Sequence, residues 1–171
     1  MKKYKLTNAE GKTRNDTQWG LGISHCGTGK GPLCGPGWIH VYDSPLLAVL
    51  LNSLHVAFQD PRCWECEVSG KHLDDHGLKS GWEVCTTMAE VALPVATVEQ
   101  AVVFGILCAR EVYRGAQFVE WSDNWLSGRE RSALAASASA SAAWAAKSID
   151  LQRLAERAME YGGAEGKVTQ G

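Results

Sequence analysis

Up to about residue 95, hydrophobic and polar positions fall into short alternating stretches broken by one continuous apolar run; beyond it they follow helical spacing. Alternation builds half-buried strands, and a three-to-four residue spacing builds a helix face. Lys3–Thr7 reads as a first strand with Asn8–Gly11 as a turn, and WIHVY at 38–42 as a second, by its aromatic and β-branched content. Ser44 stands as an N-cap ahead of Pro45 at the first helical position. The apolar run to Phe58 predicts a helix buried on more than one side, ended by Asp60 and Pro61. CWECEV at 63–68 alternates as a strand closed by Ser69 and Gly70, and a polar connection at 72–77 leads to strands at Trp82–Thr86 and Glu90–Leu93.

Thr97 and Gln100 form a capping box that opens a helix to about Arg114, with Val102, Ile106, Ala109 and Tyr113 on one stripe. Gly105 inside it points to close packing against a neighbour. Phe118–Leu126 reads as a short aromatic helix stopped by Ser127 and Gly128. The Ala/Ser run within 129–161 predicts a long helix, interrupted near 148–150, because alanine has the best helix propensity. The expected fold is α+β: a small mixed or antiparallel sheet with one buried helix over 1–95, then a helical third over 96–162 that contains an Ala-rich helix. That helix is expected to pack on the domain or on a second copy, and 163–171 to be a flexible tail.

Composition narrows the function classes. A chain of 171 residues with 45% hydrophobic content can bury a core, and a net charge of −2 argues against holding nucleic acid by general electrostatics. No apolar run approaches a membrane span, and the start MKKYKLTNAEGKTRNDTQ is polar rather than an export signal, so the expected compartment is the cytoplasm and the six cysteines are expected as free thiols. Seven tryptophans are expected in the core or lining a groove.

Two features carry candidate chemistry. HCGTGKGPLCGPG at 25–37 holds five glycines and two prolines, which excludes a helix or a regular strand. It is no Walker A loop, because Gly31 and Pro32 follow Lys30 where a Ser or Thr and a helix would be needed. Its N–H groups can form an anion nest with Lys30 as a point charge, or the stretch is a solvent-exposed connection. Cys63 and Cys66, with His72 and His76 downstream, have spacing reminiscent of zinc ligands. Strand alternation, however, puts the two thiols on opposite faces and favours structural cysteines.

His25 ahead of Gly27 and Thr28, the strand 38–42 running into a helix, and EVSG at 67–70 together resemble the ADP-ribosyltransferase fold over about residues 4–95. The resemblance implies a cleft for NAD. In it His25 would bond the nicotinamide ribose and amide, and His40 would take the nicotinamide-stacking position with Tyr42 next on the same face. Glu90, or Asp75, would be the carboxylate. Thr28, Gly29, Lys30 and Trp38 would line the cofactor, with Lys30 or Arg14 as countercharge to its pyrophosphate. A histidine at 40 is similar to the branch that removes RNA 2′-phosphates with NAD; Cys26, inserted after His25, departs from the family pattern. Such chemistry suits a site of this kind, since cleaving the nicotinamide–ribose bond passes through an oxocarbenium-like state that needs positioning and a carboxylate. LCGPGWIH at 33–40, SPLL at 44–47 and NWLSGRERS at 124–132 also resemble uncharacterised phage and prophage proteins. That likeness implies a second possibility: a non-enzymatic viral protein that binds a signalling nucleotide or a host factor in the host cytoplasm and inhibits a defence. Cys63–Val68 or the Trp121 and Trp125 face would then be recognition surface.

Overall fold

The computed structural model describes residues 1–129 and 149–162. The chain divides into two compact units, Met1–Val95 and Ala96–Gly171. In the first, β1 (Lys2–Thr7), β2 (Ser24–Cys26), β3 (Ile39–Val41), helix α1 (Pro45–His55), β4 (Arg62–Asp74) and β5 (Ser80–Val91) follow in order, with a single turn of 3-10 helix at Arg14–Asp16. In the second, α2 (Val98–Val112), α3 (Ala116–Leu126) and α4 (Leu151–Met159) are described. No helix among the described residues is long and apolar enough to cross a membrane. The fold is α+β, and every strand pairing is antiparallel.

The sheet runs β1-β4-β5, with β2 and β3 set one after the other along the far edge of β5. Just past β3, Tyr42 exchanges both backbone hydrogen bonds with Tyr4 of β1, at 2.9 and 2.7 Å. That one bridge joins the two ends of the sheet into a small barrel and removes its open edge there. Trp19, Val41, Trp64, Cys66, Val68, Trp82 and Cys85 form its hydrophobic cluster. The four indoles of this unit reach partners: Trp64 Nε1 donates to Thr7 Oγ1 at 3.1 Å, Trp82 to Ser80 Oγ at 3.0 Å, Trp19 to Thr13 Oγ1 at 3.0 Å and Trp38 to the Gly31 carbonyl at 2.9 Å. Each ring therefore buries its apolar area without stranding its N–H.

α1 starts where the sequence places it, with Pro45 first and Ser44 Oγ accepting the Leu47 N–H at 3.1 Å. It packs on β1 and buries Leu47, Ala48, Leu50 and Leu51, each large side chain contributing about 1.5–3 kcal/mol. The helix ends at His55 rather than Phe58. Asn52 folds its amide back onto the Phe58 backbone, at 3.0 and 3.1 Å, and Ala57 turns to a positive φ of 52°. The strands expected at Trp82–Thr86 and Glu90–Leu93 are one strand, β5. A register shift opposite Glu65 and Cys66 interrupts the alternation there without breaking the pairing, as a β-bulge does. β4 likewise runs on through Gly70 to Asp74, across a second shift between Ser69 and His72.

In the helical unit the capping box of α2 forms as expected, Gln100 N–H to Thr97 Oγ1 at 3.1 Å and Thr97 N–H to Gln100 Oε1 at 2.9 Å. Burial covers Val103 through Ala109, broader than the predicted stripe, and Tyr113 at its end is exposed. Gln100 also donates to the Met159 and Tyr161 carbonyls, which ties the start of α2 to the end of α4. Asp150 caps α4 by accepting the Arg153 N–H at 3.0 Å. The expectations for the Ala/Ser run and the terminal tail fall at 130–148 and 163–171, outside the described residues.

Candidate functional site

The glycine-rich loop is closed at its neck by backbone contacts. Gly29 N–H donates to the Gly37 carbonyl at 3.0 Å, and Gly27 N–H to the Glu83 carbonyl at 2.7 Å. A Cβ on Gly27 would lie 2.4 Å from the Gly37 oxygen, and one on Gly37 would lie 2.0 Å from the Lys30 oxygen. These glycines are there because two backbone segments cross at a separation that excludes any side chain. Inside the loop, Gly35 N–H turns back onto the Pro32 carbonyl at 2.8 Å.

The two nominated histidines both bond main-chain carbonyls. His40 Nε2 donates to the Leu33 carbonyl at 2.5 Å, and His25 Nε2 to the Gln18 carbonyl at 2.8 Å, its ring edge-on to Trp19 with centres 4.5 Å apart. A carbonyl only accepts, so each Nε2 carries its hydrogen. Trp38 is buried and pins the loop through Gly31. Tyr42 is also buried, which raises its phenol pKa; its hydroxyl bonds His55 Nδ1 at 3.1 Å and its ring stacks on that imidazole. Thr28 and Lys30 are exposed and Gly29 is buried.

His25 lies opposite Cys85 and His40 opposite Gly81, so they sit in line on one edge of β5, about 13 Å apart along the strand. Glu90 is not brought to them. It lies opposite Trp64 near the other end of β5, up to about 30 Å from the position facing His40. There its carboxylate is held below its ordinary range by a two-pronged bond to Arg62, at 2.8 and 2.6 Å. Asp75, the other carboxylate considered, belongs to the β4–β5 turn, its N–H bonded to the Lys79 carbonyl. The carboxylate residue that β5 does carry between the positions facing the two histidines is Glu83. It accepts the Lys71 N–H at 3.1 Å and fills the space over Gly29 and Gly70, where a Cβ would meet it at 3.2 and 2.8 Å. Alternation inside β5 marks Glu83 only as one more polar position. Its importance depends on which strands pair with β5, and that is a long-range fact.

A second group goes beyond the sequence nominations. His55 from the end of α1, Arg14 from the 3-10 turn and Lys79 from the start of β5 gather near His40. Arg14 donates to the His55 carbonyl at 3.5 Å, and Lys79 Nζ to Cys34 Sγ at 3.4 Å. Burial chiefly, then the charge of Lys79 with smaller effects of Lys5 and Arg14, lowers the His40 pKa. Burial and then Lys79 and His40 push His55 down to about 4. Lys5 enters the same region from inside the barrel, 6% exposed, its Nζ over the Trp19 ring and donating to the His40 carbonyl at 3.2 Å. Burial lowers its pKa too.

The thiols are free, with Cys26 and Cys34 exposed and the other four buried. Burial pushes Cys63 and Cys108 up to about 12. Cys66 joins the barrel cluster and Cys63 does not, while His72 stacks on Trp82. Among the described residues no group of three or more His, Cys, Asp or Glu side chains is placed to hold a metal ion. The helical unit has a cavity of about 340 Å³ lined by Val103, Leu107, Leu126, Arg157, Glu160 and Tyr161, which include none of the nominated residues. No protein-family model, curated protein or solved structure matches the chain.

Proposed function

We propose that the protein is a non-enzymatic binding module whose barrel unit takes NAD or a related nucleotide beside the loop at 27–37. The observation that carries this reading is that His25 and His40 both spend their Nε2 hydrogens on main-chain carbonyls, which makes them struts of the loop rather than groups poised for transfer. Tyr42, buried against His55, is likewise a structural ring. In the phage setting that the sequence resembles, such a module acts by sequestering a nucleotide signal. Calorimetric titration with NAD, ADP-ribose and a cyclic dinucleotide, followed by mass analysis, tests it. Binding of at least one nucleotide with no release of nicotinamide is expected, and release of nicotinamide would overturn the non-enzymatic part.

One observation favours a second reading, an ADP-ribosyltransferase-like enzyme. Glu83 lies in β5 between the positions facing His25 and His40, with its carboxylate against Gly29 of the loop, and a carboxylate there is the group an oxocarbenium-like state needs. On this reading Glu83→Gln abolishes nicotinamide release and Glu90→Gln leaves it unchanged.

A further inference from the structure

β4 outruns its neighbour β1. The pairing of the two ends where Met1 and Val68 exchange backbone hydrogen bonds at 2.9 and 3.0 Å, yet β4 continues to Asp74 with β5 alone. Residues 69–74 are exposed, and among the described residues no strand pairs with their outer edge. The hairpin fixes which backbone groups face that edge. Asp75 N–H donates to the Lys79 carbonyl at 2.9 Å and Lys71 N–H to Glu83 Oε2 at 3.1 Å, both toward β5. Strand alternation then turns the N–H and C=O groups of His72 and Asp74 outward. Leu73, between them, lies opposite Gly81, which has no side chain to cover it, and is 39% exposed.

Charges on an open edge ordinarily guard it, because like charges facing across a pairing repel. Here their order does the reverse. Residues 71–75 read Lys-His-Leu-Asp-Asp, and among the described residues no ion pair involves Lys71, His72, Asp74 or Asp75. Set antiparallel against a second copy with Leu73 on the two-fold axis, Lys71 faces Asp75, His72 faces Asp74 and Leu73 faces Leu73. Directly opposed side chains share a face of the sheet, so the axis has to pass through a residue. An axis through His72 would oppose Lys71 to Leu73, and one through Asp74 would oppose Leu73 to Asp75; both are mismatched. The axis at Leu73 also makes His72 and Asp74 the hydrogen-bonded pair, each using the groups it turns outward, and leaves the two Leu73 side chains as the close, non-bonded pair. Asp74 Oδ1 accepts the Gly77 N–H at 2.9 Å, which leaves Oδ2 for the imidazole of the second copy. We propose that the open edge of β4 at residues 71–75 is a homodimer interface, at which two barrel units join their sheets edge to edge about Leu73. The inference does not rest on the nucleotide reading above.

The test is sedimentation velocity on the full chain at low ionic strength, at concentrations up to about 1 mM, where even a weak pairing populates dimers. The native protein is compared with Lys71→Glu, Asp75→Lys and the chain carrying both, with circular dichroism checking each fold. The native chain is expected to dimerise. Each single substitution opposes like charges twice across the axis and should weaken dimerisation about tenfold. The double substitution restores opposite charges and should return dimerisation to within about twofold of native. Mixing the two single variants should likewise give a mixed dimer, since their charges are opposite at both positions. Amide exchange at His72 and Asp74 should slow as the native protein is concentrated. A native chain that stays monomeric throughout overturns the proposal. A dimer that the single substitutions leave unchanged, or that neither the double chain nor the mixture recovers, overturns it as well.

Discussion

Replacing Gly37 by Ala tests whether the loop's glycines exist for close backbone approach. Gly37 does not need a left-handed backbone, so conformation alone would allow alanine there. Space does not: the new methyl would lie 2.0 Å from the Lys30 oxygen and 2.8 Å from Thr28 Oγ1. Relieving that overlap takes a backbone shift of more than 1 Å, at a cost of about 1–3 kcal/mol. The shift also pulls the Gly37 carbonyl from the Gly29 N–H, now at 3.0 Å, which adds about 1 kcal/mol. The expected loss is about 3 kcal/mol. Gly31→Ala is the control, because Gly31 has φ +86° but open space around its Cβ position. It costs only the left-handed conformation, about 1–2 kcal/mol. Urea unfolding followed by tryptophan fluorescence measures both, since Trp38 and Trp82 sit beside the neck and the strand it rests on. If Gly37→Ala unfolds no more readily than Gly31→Ala, the close-approach explanation is wrong and the glycines serve flexibility.

Acid should destabilise the barrel unit before its carboxylates titrate. The fold holds His55 neutral down to about 4, whereas the unfolded chain takes up its proton near 6.5, so stability present above pH 6.5 is lost as the pH falls toward 4. His40 shifts in the same direction. His55 is partly exposed, and solvent screening reduces its share to roughly 1–2 kcal/mol; His55→Gln should flatten the slope of stability against pH in that window. Thr97→Ala removes one arm of the α2 capping box and should cost the helical unit about 1 kcal/mol, read as faster amide exchange in the first turn of α2. Lys5→Met keeps a long side chain over Trp19 but removes the buried amine. It should raise the thermal midpoint, since a buried amine is costly to desolvate, and an unchanged or lower midpoint in calorimetric unfolding would show that the bond to the His40 carbonyl outweighs that cost.

Elements whose cause is local were legible in the sequence. Ser44 with Pro45 and Thr97 with Gln100 are self-contained capping signals, and both helices start where those residues place them. Ends and pairings were harder. The early stop of α1 depends on an Asn52 side chain reaching Phe58, and β5 continues past Thr86 because β4 stays paired with it across an irregularity. Period-2 reading treats a bulge as the end of a strand, since it sees alternation and not the partner. The barrel closure rests on Tyr4 meeting Tyr42, two residues with no sequence relation to one another.

The site shows the same division more sharply. A glycine-rich setting drew attention to the loop, and the resemblance to the ADP-ribosyltransferase pattern nominated His25 and His40 at its two ends. What each imidazole bonds to, and which carboxylate residue falls between the two positions, follows from strand order. β2 and β3 occupy one edge of β5 in series, and that places Glu83 between the positions facing the histidines and leaves Glu90 at the far end with Arg62. The basic group was hidden for a related reason. Lys5, Arg14, His55 and Lys79 come from four separate segments, and in sequence each has the look of an ordinary surface residue. Only barrel closure, which carries Lys5 inward to the His40 carbonyl, and the packing of α1 on β1, which sets the helix end beside Arg14, make them neighbours. The residues legible in the sequence thus shape and brace the loop, while the basic side chains around His40 come from parts of the chain that only the fold connects.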